Sequence, residues 1–342
     1  MLLPPLIQKL EKENSHYLIL PLGTSAKLAQ EKNLFQKNIL HLQKDLGITV
    51  SVEKSWDRYR SLQDQDLEKI SSCVRPKKVV IGVSSKIQSD LAKRYKSQAE
   101  VYAYYDNFNP IDQSSYAPLV REIEKKADVF LVPSKKVAES SNAKKIVVVG
   151  QPTLDVWVKK MKSLNKKKLL KRLGFSQKKP FLTFVGGYDK DYQDVFSMFV
   201  QAMKKIPTFE ALVSVHPRSK GTVERSILDK EKPKNIHNIS LFLDTIEAVA
   251  LSDIVICHHS TVGIQALFAG KKVIYLDLPS SLFTNPAIDL WKCSKKVTNQ
   301  EELISEIYAQ DRTCLDVQTL YRISGIPQNS LGLFYQEITQ SR

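Results

Sequence analysis

The feature that most constrains the fold of this chain is an alternation of two kinds of segment. Short apolar runs rich in β-branched and aromatic residues recur along the sequence, and longer amphipathic segments separate them. This alternation is typical of β-α-β units, in which helices cover both faces of a parallel sheet. We therefore predict an α/β protein built from doubly wound parallel sheets.

The predicted strands form two groups along the chain. The first group comprises residues 16–22, 79–83, 101–105, 129–132 and 146–149. The second group comprises residues 181–185, 211–215, 239–242, 254–257 and 273–276. Because 342 residues suffice for about two domains, we predict an N-terminal domain at 1–155 and a C-terminal domain at 181–342. A helix is predicted at 4–12, ahead of every predicted strand, so we expect the N-terminal domain to lack its first strand.

The net charge of the chain is concentrated in one segment. The sequence has 51 Lys+Arg and 36 Asp+Glu, a formal charge of +15, and residues 156–180 contribute ten basic residues and no acidic ones. We predict that this lysine-rich segment is a hinge that forms an amphipathic helix with a basic face. Contact with an anionic membrane surface is its alternative role. Only Trp157 and Phe175 accompany the lysines, which argues against a nucleic-acid surface.

The sequence shows no sign of a membrane span or of a secretory signal. No apolar run approaches the roughly 18 residues that cross a bilayer, and the opening MLLPPLIQKLEKEN is not typical of a signal peptide. The four cysteines have neither zinc-site nor disulfide spacing: they are Cys73, Cys257, Cys293 and Cys314. We expect a cytoplasmic protein with free thiols and no cofactor. Peripheral attachment to the inner face of the cytoplasmic membrane is compatible with this expectation.

Two polar clusters follow predicted strands of the second half. Ligands of open α/β sheets bind beyond the carboxyl ends of the strands. Gly186 and Gly187 follow one strand and form a turn that lets a phosphate approach the backbone closely. The sequence His216-Pro217-Arg218-Ser219-Lys220 follows the next strand and combines an imidazole, a guanidinium and an ammonium group, which suit phosphate oxygens.

A third polar cluster follows the predicted strand at 254–257 and reads HHSTVGIQA. Ser260 and Thr261 are natural N-cap residues, so we expect the first N–H groups of the next helix to face a phosphate. Gln265 lies about one turn into that helix, within reach of a ribose hydroxyl. His258 and His259 are adjacent, so their side chains are expected to point apart, and no carboxylate lies near them in sequence; we predict no metal site.

The string STVGIQA, followed by AGKKVIYLD, resembles the nucleotide-sugar-binding domain of GT-B glycosyltransferases. The resemblance covers roughly residues 145–300 and includes VGQPTLD, which is similar to the segment that ends the first domain of that family. It implies two Rossmann-like domains that face each other across a cleft. It also implies metal-independent transfer, with the donor nucleotide in the C-terminal domain and the acceptor in the N-terminal one.

The resemblance also implies roles for single residues. The pair His216-Pro217 is similar to the HP motif of bacterial sialyl-, Kdo- and polyol-phosphate transferases, whose histidine contacts the donor phosphate; His216 is our candidate catalytic residue. Gln265 falls where many members hold the ribose with a Glu. The predicted nucleotide-sugar-binding residues are Gly186, Gly187, Pro217, Arg218, His259, Ser260, Thr261, Gly263 and Gln265.

The candidate general base is Asp106, which ends a predicted strand within YYDNF, where aromatic groups suit stacking on a sugar. Asp112 is a second candidate, and a solvated loop-capping role explains Asp106 equally well. The expected function is transfer of a sugar from a UDP-, GDP-, CDP- or CMP-linked donor to a polysaccharide or glycolipid acceptor in cell-envelope biosynthesis. Two alternatives remain: a sugar-nucleotide 2-epimerase, although its typical SGG-QEE string is absent, and a non-catalytic nucleotide-sugar-binding relative.

Overall fold

The computed structural model describes residues 3–20, 38–48, 61–175, 179–216, 219–281, 284–309 and 315–340. The chain divides into two compact units. The first unit comprises Met1–Asp155 with Gly325–Arg342, and the second comprises Val156–Ser324. Each unit has its own parallel sheet, so the α/β class and the two Rossmann-like domains predicted from the sequence are confirmed.

The first unit is built on a four-stranded parallel sheet in the order β1-β2-β3-β4. Its strands are β1 (Lys78–Ile81), β2 (Glu100–Tyr104), β3 (Val129–Val132) and β4 (Ile146–Val148). Its helices up to residue 139 are α1 (Leu3–Lys12), α2 (Leu42–Leu46), α3 (Asp64–Cys73), α4 (Lys86–Tyr95), α5 (Ala117–Glu124) and α6 (Lys135–Glu139). All four residues of β3 are buried, as expected for a strand covered on both faces.

The strand predicted at 16–22 is not observed where the structure describes it. Within 16–20 only Ile19 pairs, through a single parallel bridge to Ile39, and residues 21 and 22 lie outside the described ranges. The described chain begins with α1, so the helix predicted at 4–12 is confirmed.

The second unit has a six-stranded parallel sheet in the order β10-β9-β8-β5-β6-β7. Its strands are β5 (Phe181–Val185), β6 (Glu210–Ser214), β7 (Ile236–Asn238), β8 (Ile254–Cys257), β9 (Lys272–Leu276) and β10 (Lys295–Val297). The chain runs outward from β5 in one direction through β6 and β7, and in the other through β8 to β10. The strand order therefore reverses between β5 and β8, the point where open α/β sheets bind ligands.

The remaining helices complete the chain. They are α7 (Pro152–Ser163), α8 (Lys166–Leu173), α9 (Tyr192–Lys205), α10 (Thr222–Glu231), α11 (Thr245–Leu251), α12 (Val262–Phe268), α13 (Pro286–Asp289), α14 (Gln300–Tyr308), α15 (Val317–Ser324) and α16 (Ser330–Thr339). None of the helices in the described ranges combines the length and the apolarity needed to cross a bilayer.

One predicted strand of the second unit is wrong. Residues 239–242 form a turn, in which the Phe242 N–H donates to the carbonyl of Ile239 at 2.8 Å. Leu241 is 92% exposed and Phe242 60% exposed. The observed strand β7 lies immediately before this turn, because the side chains of Ile236 and Ile239 are the ones that reach the core. The short strand β10 was not predicted, since it holds two lysines in three residues.

The amphipathic helix predicted in the lysine-rich segment 156–180 is observed as parts of two helices, α7 up to Ser163 and α8 at Lys166–Leu173. The two helices are separated at Asn165, whose side chain accepts a hydrogen bond from the Lys168 N–H at 3.1 Å and caps α8. Leu169 and Leu170 are buried in an apolar cluster with Phe181, so this segment packs as part of the second unit.

The last helix corrects the predicted range of the second domain, 181–342. Helix α16 packs in the first unit, where Phe334 is fully buried and its ring meets the edge of Tyr104 at 5.0 Å. The Leu331 N–H also donates to Asp155 at 2.9 Å. The chain therefore crosses back to the first unit after α15, at Gly325, whose φ of +66° favours glycine.

Candidate functional site

The polar residues of the second unit gather at the carboxyl ends of four neighbouring strands. Parallel pairing aligns the last residues of these strands, with Val185 beside both Ser214 and Cys257, and Cys257 beside Tyr275. The residues that follow the strands therefore emerge at one edge of the sheet. They are Gly186, Gly187, His216, His258, His259 and Asp277.

His258 and His259 lie side by side after β8. Their rings stack at a centroid distance of 3.7 Å, with an interplanar angle of 23°. Asp189 lies beside both rings, with its Oδ2 3.4 Å from His259 Nδ1 and 3.8 Å from His258 Nε2. The two reasons that the sequence offered against a metal site are therefore wrong: the rings do not point apart, and a carboxylate lies next to them.

The far side of each imidazole is held by an acceptor. The His258 Nδ1–H donates to the carbonyl of Leu276 at 3.1 Å, and the His259 Nε2–H donates to Asp277 at 2.9 Å. Burial acts to raise the pKa of Asp277, but hydrogen bonds from His259 and Ser281 outweigh it and hold the pKa below its usual range. Asp277 thus stays ionised and fixes the orientation of His259.

The predicted glycine turn has a packing reason of its own. A Cβ on Gly186 would lie 2.9 Å from a carboxylate oxygen of Glu224, and a Cβ on Gly187 would lie 3.1 Å from His258 Cδ2. Both positions therefore require glycine because neighbouring side chains approach the backbone closely. This requirement holds whether or not a phosphate binds there.

Glu224 is a buried carboxylate that the sequence analysis did not single out. Its Oε1 accepts a hydrogen bond from the Tyr192 hydroxyl at 2.6 Å, whereas its Oε2 has no hydrogen-bond partner among the described residues. Burial, and then the charge of Glu224, raise the pKa of Tyr192, so this phenol remains a donor. Both side chains lie against the glycine turn, since a Cβ on Gly186 would lie within 3.0 Å of each of them.

The start of α12 differs in part from the prediction. Ser260 lies one residue before the N-cap position, and its Oγ accepts a hydrogen bond from the Val262 N–H at 3.2 Å. Thr261 is exposed, and its side chain makes no capping bond. Gly263 faces β9, where a Cβ would lie 2.7 Å from Tyr275 Cζ, so packing requires this glycine too. Gln265 is half-buried in α12.

His216 lies half-buried after β6, next to Tyr188. The two rings meet at a centroid distance of 4.6 Å, and Tyr188 is 51% exposed. The carbonyl of His216 accepts hydrogen bonds from the N–H and the hydroxyl of Ser219, both at 3.0 Å. Pro217 and Arg218, two predicted binding residues, lie outside the described residues.

The candidate base Asp106 is exposed at the end of β2 in the first unit. Its carbonyl accepts a hydrogen bond from Gln151 at 2.9 Å, which fixes the loop. The aromatic residues around it do not suit sugar stacking, because Tyr104, Tyr105 and Phe108 are buried in the core. The fallback residue Asp112 pairs with Arg121 at 2.7 Å.

Sequence reasoning missed Asp189 and Asp277. Each of them follows a strand of the second unit within a few residues, as the predicted clusters do, so the rule that polar residues after strands line the ligand site would have found them. Cys257 precedes His258 but offers no nucleophile, since burial raises the pKa of its thiol.

No family model and no curated protein matches this chain. Solved structures match along nearly its whole length. UDP-GlcNAc 2-epimerase from Neisseria meningitidis bound to UDP-GlcNAc is 13% identical with a TM-score of 0.68, and the match covers 99% of this chain and 96% of that chain.

Two further solved structures are transferases or polymerases. MurG from Acinetobacter baumannii is 13% identical with a TM-score of 0.60, and the match covers 99% of this chain and 96% of that one. The wall teichoic acid polymerase TagF is 12% identical with a TM-score of 0.62, over 96% of this chain and 82% of that one. The chain therefore has the GT-B fold, as its sequence resemblance implied.

Proposed function

We propose that this protein is a glycosyltransferase that moves a sugar from a nucleotide-activated donor to a polysaccharide or glycolipid acceptor in cell-envelope biosynthesis. The observation that carries the proposal is that His216, His259 and Ser260 all follow strands at the carboxyl-end edge of the second sheet. The imidazole of His216 and the hydroxyl of Ser260 can donate hydrogen bonds to a nucleotide diphosphate. The structural neighbours bind UDP-sugar or CDP-glycerol donors, which supports the same ligand class.

Donor binding is assigned to the second unit. His216 contacts the leaving phosphate in this proposal, and His259, Ser260, Thr261 and Gln265 bind the remaining donor groups together with Gly186, Gly187, Gly263, Pro217 and Arg218. Asp106 on the first unit is the proposed base for the acceptor hydroxyl. A base of this kind contributes about 10²-fold or more to the rate.

Donor binding is tested by thermal shift against UDP, GDP, CDP, CMP and their sugars. A ligand that binds only the native state raises the melting temperature by mass action. We expect one nucleotide class to stabilise the wild type, and His216→Ala and Ser260→Ala to lose that shift. The control His237→Gln changes a histidine of the same unit that pairs with Glu210, and it should keep the shift. A panel without any stabilising nucleotide contradicts the proposal.

Transfer is distinguished from epimerisation by the need for an acceptor. Donor turnover that requires an acceptor supports a transferase, and turnover of the donor alone supports the sugar-nucleotide 2-epimerase, a second candidate favoured by the TM-score of 0.68. Binding without turnover supports the non-catalytic relative. Asp106→Asn should lower transfer by about 10²-fold and leave the donor shift intact, whereas Asp112→Asn should change neither.

Docking on an anionic membrane is proposed for the lysine-rich segment. Four of its basic residues are paired to acids of the second unit, through Lys160–Asp244, Lys166–Asp253, Arg172–Glu247 and Lys179–Glu210. Five exposed lysines remain available for lipid head groups: Lys159, Lys162, Lys167, Lys168 and Lys171.

Vesicle co-sedimentation tests this docking. Lys167→Glu/Lys168→Glu should abolish binding to vesicles that contain phosphatidylglycerol, while Lys230→Glu/Lys234→Glu, with the same change of charge in the same unit, should retain it. Equal losses in the two variants would show only a dependence on net charge and would remove the segment from the proposal.

A further inference from the structure

Two imidazoles and one carboxylate offer ligand atoms close to one another beyond the ends of β5 and β8. Asp189, His258 and His259 each offer one such atom, and the three atoms lie within 4.8 Å of one another. The carboxylate oxygen lies 3.4 Å and 3.8 Å from the two ring nitrogens. Ligand atoms around an ion bound at about 2.0–2.2 Å are separated by about 3–4 Å. We propose that Asp189, His258 and His259 form a binding site for a divalent transition-metal ion.

The hydrogen bonds on the far side of the rings fix the tautomers that such a site needs. His258 donates its Nδ1–H to the carbonyl of Leu276, and His259 donates its Nε2–H to Asp277. Histidines that bind metals typically donate their second N–H to a carbonyl or a carboxylate in this way. In the neutral rings, the lone pairs of His258 Nε2 and His259 Nδ1 then lie on the side of Asp189.

The buried Nε2 of His258 is a second, independent observation that supports a metal site. The residue is 1% exposed, and its Nε2 has no hydrogen-bond partner among the described residues. A buried polar atom without a partner is unfavourable, and a lone pair that faces a carboxylate adds repulsion. A cation bound between them removes both costs.

The donor set indicates the class of ion. Two imidazole nitrogens favour Zn²⁺, Co²⁺ or a similar ion over Mg²⁺ and Ca²⁺, which prefer sites made of oxygen ligands. The side chain of Asp189 is 41% exposed, so the ion remains open to solvent and keeps coordination positions for a ligand.

Metal titration of the chelator-treated, full-length protein tests the site without any nucleotide. We expect Co²⁺ to bind at about one ion per chain, to give visible d–d absorption of a nitrogen- and oxygen-ligated ion, and to be displaced by Zn²⁺. Asp189→Asn and His258→Gln should each weaken Zn²⁺ binding by about tenfold or more. Asp277→Asn, which replaces the charged acceptor behind His259 with a neutral amide, should weaken it by about 10-fold.

The control variant is His237→Gln, since His237 lies in the same unit and pairs with Glu210 instead. It should bind Zn²⁺ as the wild type does. Equal affinity in the wild type, Asp189→Asn and His258→Gln, or the absence of Co²⁺ absorption, would overturn the site. If His258→Gln does not fold by circular dichroism, Asp189→Asn decides alone, because the exposed Asp189 side chain can be changed without loss of the core.

This experiment is independent of the proposed transferase activity. Zn²⁺ binding by a protein that no nucleotide stabilises would retain the metal site and reject the proposed function. Nucleotide binding by a protein that does not bind Zn²⁺ would retain the proposed function and reject the metal site.

Discussion

At the scale of single residues, several positions that resemble ligand-binding signals have packing explanations. Gly186, Gly187 and Gly263 lie where a Cβ would approach Glu224, Tyr192 and Tyr275 too closely. A glycine in such a turn therefore marks a close approach of chain to chain, and a ligand is one of several reasons for that approach.

Gly263→Ala should destabilise the second unit. Alanine favours a helix over glycine by about 1 kcal/mol, but the clash with the Tyr275 ring costs about 1–3 kcal/mol. We expect a lower urea midpoint, and partial recovery in Gly263→Ala/Tyr275→Phe, which removes the hydroxyl nearest to the new methyl group. A single variant as stable as the wild type would show that the helix shifts without cost.

Glu122 in the first unit gives a prediction about pH. Burial acts to raise its pKa, but hydrogen bonds from Lys126, Lys86 and Ser89 outweigh this and lower the pKa from 4.5 to about 2. Because the folded pKa is the lower one, the stabilisation is fully present above about pH 4.5 and is lost as the pH falls towards 2.

Glu122→Gln should therefore lower the melting temperature at pH 7, and its difference from the wild type should shrink below pH 4.5. The side chain is partly exposed, so the effect is about 1 kcal/mol or less. Thermal unfolding between pH 7 and pH 3 measures it, with Glu139→Gln, at an exposed pair with Lys136, as the control. A difference that grows on acidification contradicts this assignment.

At the scale of elements, side-chain caps and ion pairs decide where the lysine-rich segment is helical. Its charges repel one another, yet Lys160 and Arg172 pair with Asp244 and Glu247 at the start of α11. The buried leucines of α8 then hold the helix against the second sheet. The segment predicted to be a hinge is thus attached to the second unit by a narrow stripe of apolar side chains.

Asn165→Ala should cost about 1 kcal/mol, because it leaves the Lys168 N–H without its cap. Asn165→Ser preserves a capping oxygen and should stay within a few tenths of a kcal/mol of the wild type. Urea midpoints of the two variants make the comparison. If Asn165→Ser is destabilised as much as Asn165→Ala, a contact other than the cap stabilises this end of α8.

At the scale of the whole molecule, the chain returns to its first unit at the end. Helix α15 packs in the second unit, with the Tyr321 ring 4.8 Å from Phe268. After Gly325, α16 adds Phe334 and Ile338 to an apolar cluster of the first unit that includes Leu6 and Tyr104. The stability of the first unit therefore depends on residues more than 150 positions beyond its last strand.

Phe334→Ala should destabilise the first unit by about 3 kcal/mol or more, as expected when a fully buried ring is removed. Hydrogen exchange resolves the effect by unit: peptides from β2 and β3 should lose protection, and peptides from β5 and β8 should keep it. Phe242→Ala, at an exposed ring, is the matched control. Loss of protection confined to the second unit would contradict the placement of α16.

The sequence by itself determined the α/β class, most of the strands and the edge of the sheet where the polar residues gather. It could do so because strand and helix periods, and the polar residues that follow buried strands, are local patterns. Only the tertiary structure decided that residues 239–242 form a turn, that α16 belongs to the first unit, and that Asp189 meets His258 and His259. These depend on which residues become neighbours across the sheet, and a pairing between residues about 70 positions apart leaves no mark in the local sequence of either one.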